Sequence, residues 1–113
     1  MKLSEFELSK DDSGRPRATT SGSSKSSAIV CSFLRSDIQD PSHARHLLQA
    51  AHTQAQSRGA HRYTTTGNAY AVSIGRNTVL IRPLLPDSAA TPIAKLPRTL
   101  FESLLKRWIT LLS

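Results

Sequence analysis

Four histidines are the first residues to test for chemistry. His43 and His46 stand three apart, a spacing that puts two side chains on one helix face, and His52 follows on the same predicted helix, with His61 beyond it. A metal centre built on such a pair needs a carboxylate or thiolate at matching spacing. None stands beside them, so they read as polar residues on the outer face of an amphipathic helix, and no metal is expected. Acid-base catalysis needs carboxylates held in distinct environments. Here Glu5, Glu7, Asp11 and Asp12 crowd into the first twelve residues, while Asp37, Asp40 and Asp87 sit beside turns or helix starts, where capping and solvation account for them. There is no G-x-S-x-G elbow, no P-loop and no dinucleotide fingerprint. Cys31 lies within the apolar run Ala28 to Leu34 and reads as a small buried hydrophobe in a reducing compartment. The expectation is a chain that is no enzyme and uses no cofactor.

Charge points toward binding instead. Fifteen Lys and Arg residues against eight Asp and Glu give a net charge of +7 over 113 residues, a field that attracts acidic partners. With the acids gathered at the start, the rest of the chain is more basic still. Arg62, Arg76 and Arg82 fall on or beside predicted exposed strand and turn positions and are the candidate partner-binding residues. A small basic nucleic-acid-binding domain is the alternative reading. Single-strand binding, however, usually pairs basic residues with exposed aromatics. Phe6, Phe33, Tyr70, Phe101 and Trp108 fall on core-facing positions, leaving Tyr63 as the exposed exception. The last helix has too few basic residues for a membrane-surface role, and no stretch reaches the roughly 20 apolar residues of a membrane span. A cytoplasmic location is expected, because the start of the chain lacks the apolar core of a secretory signal.

The elements that must position these residues follow from periodicity. Phe6 and Leu8 alternate with Glu5, Glu7 and Ser9, and Asp11-Asp12-Ser13-Gly14 supplies turn chemistry, which predicts a hairpin returning over about Arg15 to Thr20. Residues 19–27 form a Ser-rich stretch without apolar side chains and read as a flexible loop. The run Ala28 to Leu34 reads as a buried strand. Asp40-Pro41 opens a helix over roughly 41–58, with Ala44, Leu47, Leu48, Ala51 and Ala55 on one face and Gly59 placed to end it. His61 to Thr66, Ala69 to Ile74 and Thr78 to Arg82 read as strands, with Leu84 to Pro92 a connection. A closing helix begins near Pro97, with Thr99 and Glu102 as a capping box and Phe101, Leu104, Leu105, Trp108 and Leu112 as its buried stripe. The predicted fold is α+β: a single domain over 1–113, with an antiparallel sheet of about four to six strands and two helices packed against it.

Several segments together resemble one family. They are E-F-E-L-S-x-D-D-x-G-x-P-R-A (Glu5 to Ala18), F-L-x-x-D-I-Q (Phe33 to Gln39), T-G-N-A-Y (Thr66 to Tyr70) and L-P-x-x-x-F-x-x-x-L-x-x-W (Leu96 to Trp108). In this order and spacing they are similar to bacterial immunity proteins of contact-dependent growth inhibition systems. The resemblance implies a cytoplasmic protein that binds the toxic C-terminal domain of a contact-delivered effector, the cognate toxin, and neutralises it without catalysis. Such relatives are acidic between the second hairpin and the last helix, where this chain has Arg76, Arg82, Lys95 and Arg98. A basic inhibitor is repelled by a basic nuclease cleft, so docking on an acidic patch of the toxin is expected.

Overall fold

The computed structural model describes residues 1–22, 24–59, 61–85 and 93–113. Strands β1 (Phe6–Lys10) and β2 (Pro16–Thr20) form the N-terminal hairpin, with Phe6 opposite Thr20 and Lys10 opposite Pro16. Its turn is built by Asp11, whose Oδ1 accepts from the Ser13 amide (2.9 Å), the Ser13 hydroxyl (2.6 Å) and the Arg15 amide (2.9 Å). Gly14 takes φ 85°, the left-handed conformation that glycine adopts without a Cβ penalty. The Ser13 hydroxyl bond first, and then the Arg15 amide bond, lower the Asp11 pKa below its ordinary 3.8. A depressed carboxylate pKa stabilises the turn above the unfolded value, and that contribution disappears as pH falls through the lower folded one. An acid titration followed by NMR should therefore show the Ser13 and Arg15 amide shifts inflecting below pH 3.8. An inflection at or above that value would contradict the turn chemistry.

The sequence reading of residues 19–34 needs correction. Thr19 and Thr20 end β2, and residues Lys25–Asp37 form a helix, α1, in place of the predicted loop and strand. Ser24 caps it, its hydroxyl accepting from the Ser27 amide at 3.1 Å. Ser27, expected in a flexible loop, is fully buried (0 % exposed). Val30, Phe33, Leu34 and Asp37 recur at three- and four-residue intervals and are buried together, a spacing that only a helix brings to one side. Among the described residues, three α-helices are therefore present where two were expected.

The second helix, α2 (Pro41–Ala55), begins as predicted, with the Asp40 carboxylate accepting from the His43 amide at 2.9 Å and Pro41 in its first turn. It stops at Ala55, short of the predicted end. Gly59 lacks the predicted left-handed conformation, since among the described residues only Gly14 has positive φ. Strands β3 (Tyr63–Thr66), β4 (Tyr70–Ile74), β5 (Thr78–Pro83) and β6 (Ala94–Pro97) form one antiparallel sheet in that order. The strand β6 was not anticipated. The predicted connection Leu84 to Pro92 falls largely on residues 86–92, outside the described residues.

The last helix, α3 (Arg98–Leu112), starts without a side-chain cap, so the predicted Thr99–Glu102 capping box is absent. Glu102 instead accepts from Arg98 and pairs with His52 on α2 at 2.8 Å. Among the described residues, the helices pack on one face of the four-stranded sheet: α1 and α3 against β5 and β6, and α2 against β4 and α3. The N-terminal hairpin closes over α1 and α3. Val72, Ile74, Val79, Ile81, Ala94 and Leu96 point from the sheet into a core shared with Phe33, Leu34, Leu47, Phe101, Leu104 and Trp108. Each large side chain so buried contributes roughly 2 kcal/mol. Phe33 is packed between aromatics, edge-on to Tyr70 (6.1 Å) and offset-stacked on Phe101 (6.3 Å). Trp108 satisfies its one polar atom by donating to the Ile38 carbonyl at 2.7 Å.

Candidate protein-binding face

The register of the larger sheet sorts its side chains. Thr64 lies opposite Ser73, Ser73 opposite Leu80 and Leu80 opposite Lys95, while Thr66, Ala71 and Arg82 form a second row. Because successive strand residues alternate between faces, these side chains all lie opposite the helices. The face they make is small and polar at β3 and β4 and carries Leu80 on β5 and Ile93 just before β6. A shallow depression of about 170 Å³ runs across it, lined by Thr64, Ala71, Ser73, Leu80, Arg82 and Ile93. Arg82 and Lys95 are exposed on it, and Arg76 is exposed in the β4–β5 turn at its end. The described part of residues 61–97 contains no acidic residue, and the remaining acid of that stretch, Asp87, lies outside the described residues. Glu7, Asp11 and Asp12 lie on the N-terminal hairpin, with Glu5 just before it, and that hairpin packs on α1 and α3, on the other side of the sheet from this face.

The three arginines singled out in the sequence do not play equal parts. Arg82 stands free of any ion pair with a described residue, as does Arg76, whose carbonyl accepts from the Arg98 guanidinium at 2.7 Å. Arg62, just before β3, is half-buried and clasps the β4–β5 turn. Its Nε donates to the Ser73 hydroxyl (2.7 Å), and one terminal nitrogen donates to the Ser73 carbonyl (2.8 Å) and the Thr78 carbonyl (3.1 Å). A Cβ at Gly75 would collide with that guanidinium, which is the local reason for glycine there. Replacing Arg62 with Gln should cost about 2 kcal/mol, because two strand-end carbonyls lose a charged donor. Chemical denaturation measures this, and an unchanged midpoint would show that the clasp contributes nothing to stability.

The histidines are separated by their partners. His43 Nδ1 lies 3.1 Å from the Asp37 carbonyl, His46 Nε2 lies 2.9 Å from the Tyr63 hydroxyl, and His52 pairs with Glu102. No group of three or more metal-ligating side chains converges among the described residues. Tyr63, anticipated as exposed, is half-buried on the helix side of β3 and faces His46, so it offers no stacking surface on the basic face. Burial pushes the Cys31 thiol above its ordinary 9.0, against a smaller opposing influence from Arg35. Among the described residues no helix is long and apolar enough to cross a membrane.

The sequence reading missed the apolar centre of the face. Thr78, Leu80 and Arg82 share one parity in the segment T-V-L-I-R, and that alternation was the available signal. Ile93 and Lys95 joined them only through β6. Comparison with known protein families, with curated proteins and with solved structures finds no match.

Proposed function

We propose that this chain is an immunity protein, which binds the toxic C-terminal domain of a cognate contact-delivered effector in the cytoplasm and neutralises it stoichiometrically. The observation that carries this reading is the sheet face on which no described helix packs, where exposed Arg82 and Lys95 flank Leu80 and Ile93 with no described acidic residue among them. An apolar centre within a basic rim suits a protein surface with an acidic margin. The order and spacing of the four sequence segments supply the toxin as the partner. Sequence-independent nucleic-acid binding would use the same charge, but it draws much of its grip from bases stacked on aromatic rings. The described part of this face has no aromatic residue.

Calorimetric titration of the full chain against the toxic domain encoded immediately upstream, at two salt concentrations, tests the proposal. Short DNA and RNA duplexes and single strands serve as controls. One-to-one binding to the toxin alone is the expected result. Binding to nucleic acid with a steep salt dependence, and none to the toxin, would replace this reading with the nucleic-acid one.

A further inference from the structure

The β4–β5 turn, which carries Arg76, is held by a residue from outside it. Arg76 and Asn77 are exposed, yet Arg98 at the start of α3 engages the carbonyls of both. Its Nε donates to the Arg76 carbonyl at 2.7 Å, and its backbone amide donates to the Asn77 carbonyl at 2.8 Å. The guanidinium is itself fixed. One terminal nitrogen donates to Glu102, one turn along α3, and the other oxygen of that carboxylate lies 2.8 Å from His52 Nε2 on α2. The side chains of Arg98 and Glu102 are only 19 % and 9 % exposed. A chain of contacts therefore runs from α2 through α3 to the turn.

Helix stability does not account for Arg98. A cation in the first helical turn opposes the helix dipole, and an Arg placed four residues before its Glu is the less favourable order for such a pair. The ion pair does not account for itself either, since a pair so little exposed seldom stabilises a fold more than apolar side chains of the same size. What the guanidinium does supply is direction: its donors stand in fixed positions and hold a carbonyl and a carboxylate at once.

We propose that Arg98, locked by Glu102 and His52, is a positioning residue that presents Arg76 to the partner protein. An exposed turn whose backbone is already fixed loses less freedom on binding, and the smaller loss appears as affinity. The same contacts place Arg76 at the end of the basic sheet face, so that it extends the rim formed by Arg82 and Lys95. This inference rests on the reading of the chain as a protein inhibitor that docks through that face.

The test is Arg98→Lys, with the same toxic domain as probe. Lysine keeps the charge, so long-range steering is unchanged, but its single nitrogen cannot reproduce the fork that holds carbonyl and carboxylate together. The dissociation constant should rise about tenfold through faster release, with the association rate unchanged. In an Arg76→Ala background the same substitution should change affinity by less than about twofold, because the side chain that Arg98 positions is gone. Glu102→Gln leaves Arg98 an acceptor without a charge and should give a smaller rise, about threefold. In the unsubstituted chain, the Arg76 and Asn77 amides should have NMR order parameters like those of the strands, about 0.85, a readout that depends on no variant. Native affinity in Arg98→Lys, an equal loss with and without Arg76, or turn order parameters below about 0.6 would each overturn the positioning role and leave the inhibitor reading standing. Absence of toxin binding by the unsubstituted chain would overturn both.

Discussion

Replacing Asp37 with alanine is expected to destabilise the chain by about 3 kcal/mol, because one carboxylate at the end of α1 holds the turn that starts the larger sheet. The Asp37 side chain is buried (5 % exposed). Its Oδ1 accepts from the Ala69 amide at 3.0 Å and from the Ser36 hydroxyl at 2.9 Å, and Oδ2 accepts from the Tyr70 amide at 3.1 Å. The Asn68 side chain adds a bond to the Ser36 carbonyl at 3.2 Å. Hydrogen bonds to an ionised acceptor are the strong ones, and alanine leaves two backbone donors unpaired where the chain is half-buried. Equilibrium unfolding in urea measures the loss, and a cost under about 1 kcal/mol would show that water replaces the carboxylate. Gly67 supplies an independent check. A Cβ there would run into Asp37 Oδ2, so Gly67→Ala should be costly in the native chain and much cheaper alongside Asp37→Ala. Additive costs would place the two residues in separate environments, contrary to the geometry.

This interaction explains why part of the structure was legible in the sequence and part was not. The hairpin turn at Asp11 to Gly14, the Asp40-Pro41 helix start and the alternation of β4 and β5 are set by neighbouring residues, and each was found close to its observed position. The role of Asp37 depends on amides more than thirty residues downstream, so locally it read as one more acid beside a turn. For the same reason Arg62 read as exposed: its partners, Ser73 and Thr78, are distant in sequence. The helix α1 was misread because Ala28 to Leu34 is nearly all apolar, and Ser32 alone is too few polar positions to tell a period of 2 from one of 3.6. Its cap and first turn hold Ser24, Ser26 and Ser27, whose capping and helical roles look like linker composition. The strand β6 has only four residues and ends in proline, and it is a strand because Val79 and Ile81 on β5 offer Leu96 and Ala94 a ladder and a core. Among the candidate binding residues, alternation put Arg82 on the face opposite the helices, but no local pattern revealed that none of the described helices covers it.

Reversing Arg76 and Arg82 together to glutamate is expected to slow association with the toxic domain on the order of 30-fold at low salt. Both side chains are exposed and pair with no acid among the described residues, so the substitutions should change stability by less than about 0.5 kcal/mol. Arg62 is left out of the pair because its guanidinium is committed to Ser73 and Thr78, and its loss would mix a folding effect with a binding one. Total charge alone also affects encounter rates, so the control must remove the same charge elsewhere. Arg15 and Arg35 are exposed and border a separate cleft with Pro16, Ile38 and Trp108, between the hairpin and the ends of α1 and α3. Reversing that pair should slow association only about threefold, because at physiological salt a charge is screened over about 8 Å. Stopped-flow mixing at two ionic strengths separates the outcomes. A large effect confined to Arg76 and Arg82, shrinking as salt is added, follows if the toxin approaches the sheet face. Equal slowing by both pairs would mean that the net charge steers the encounter and the face has no special part in it.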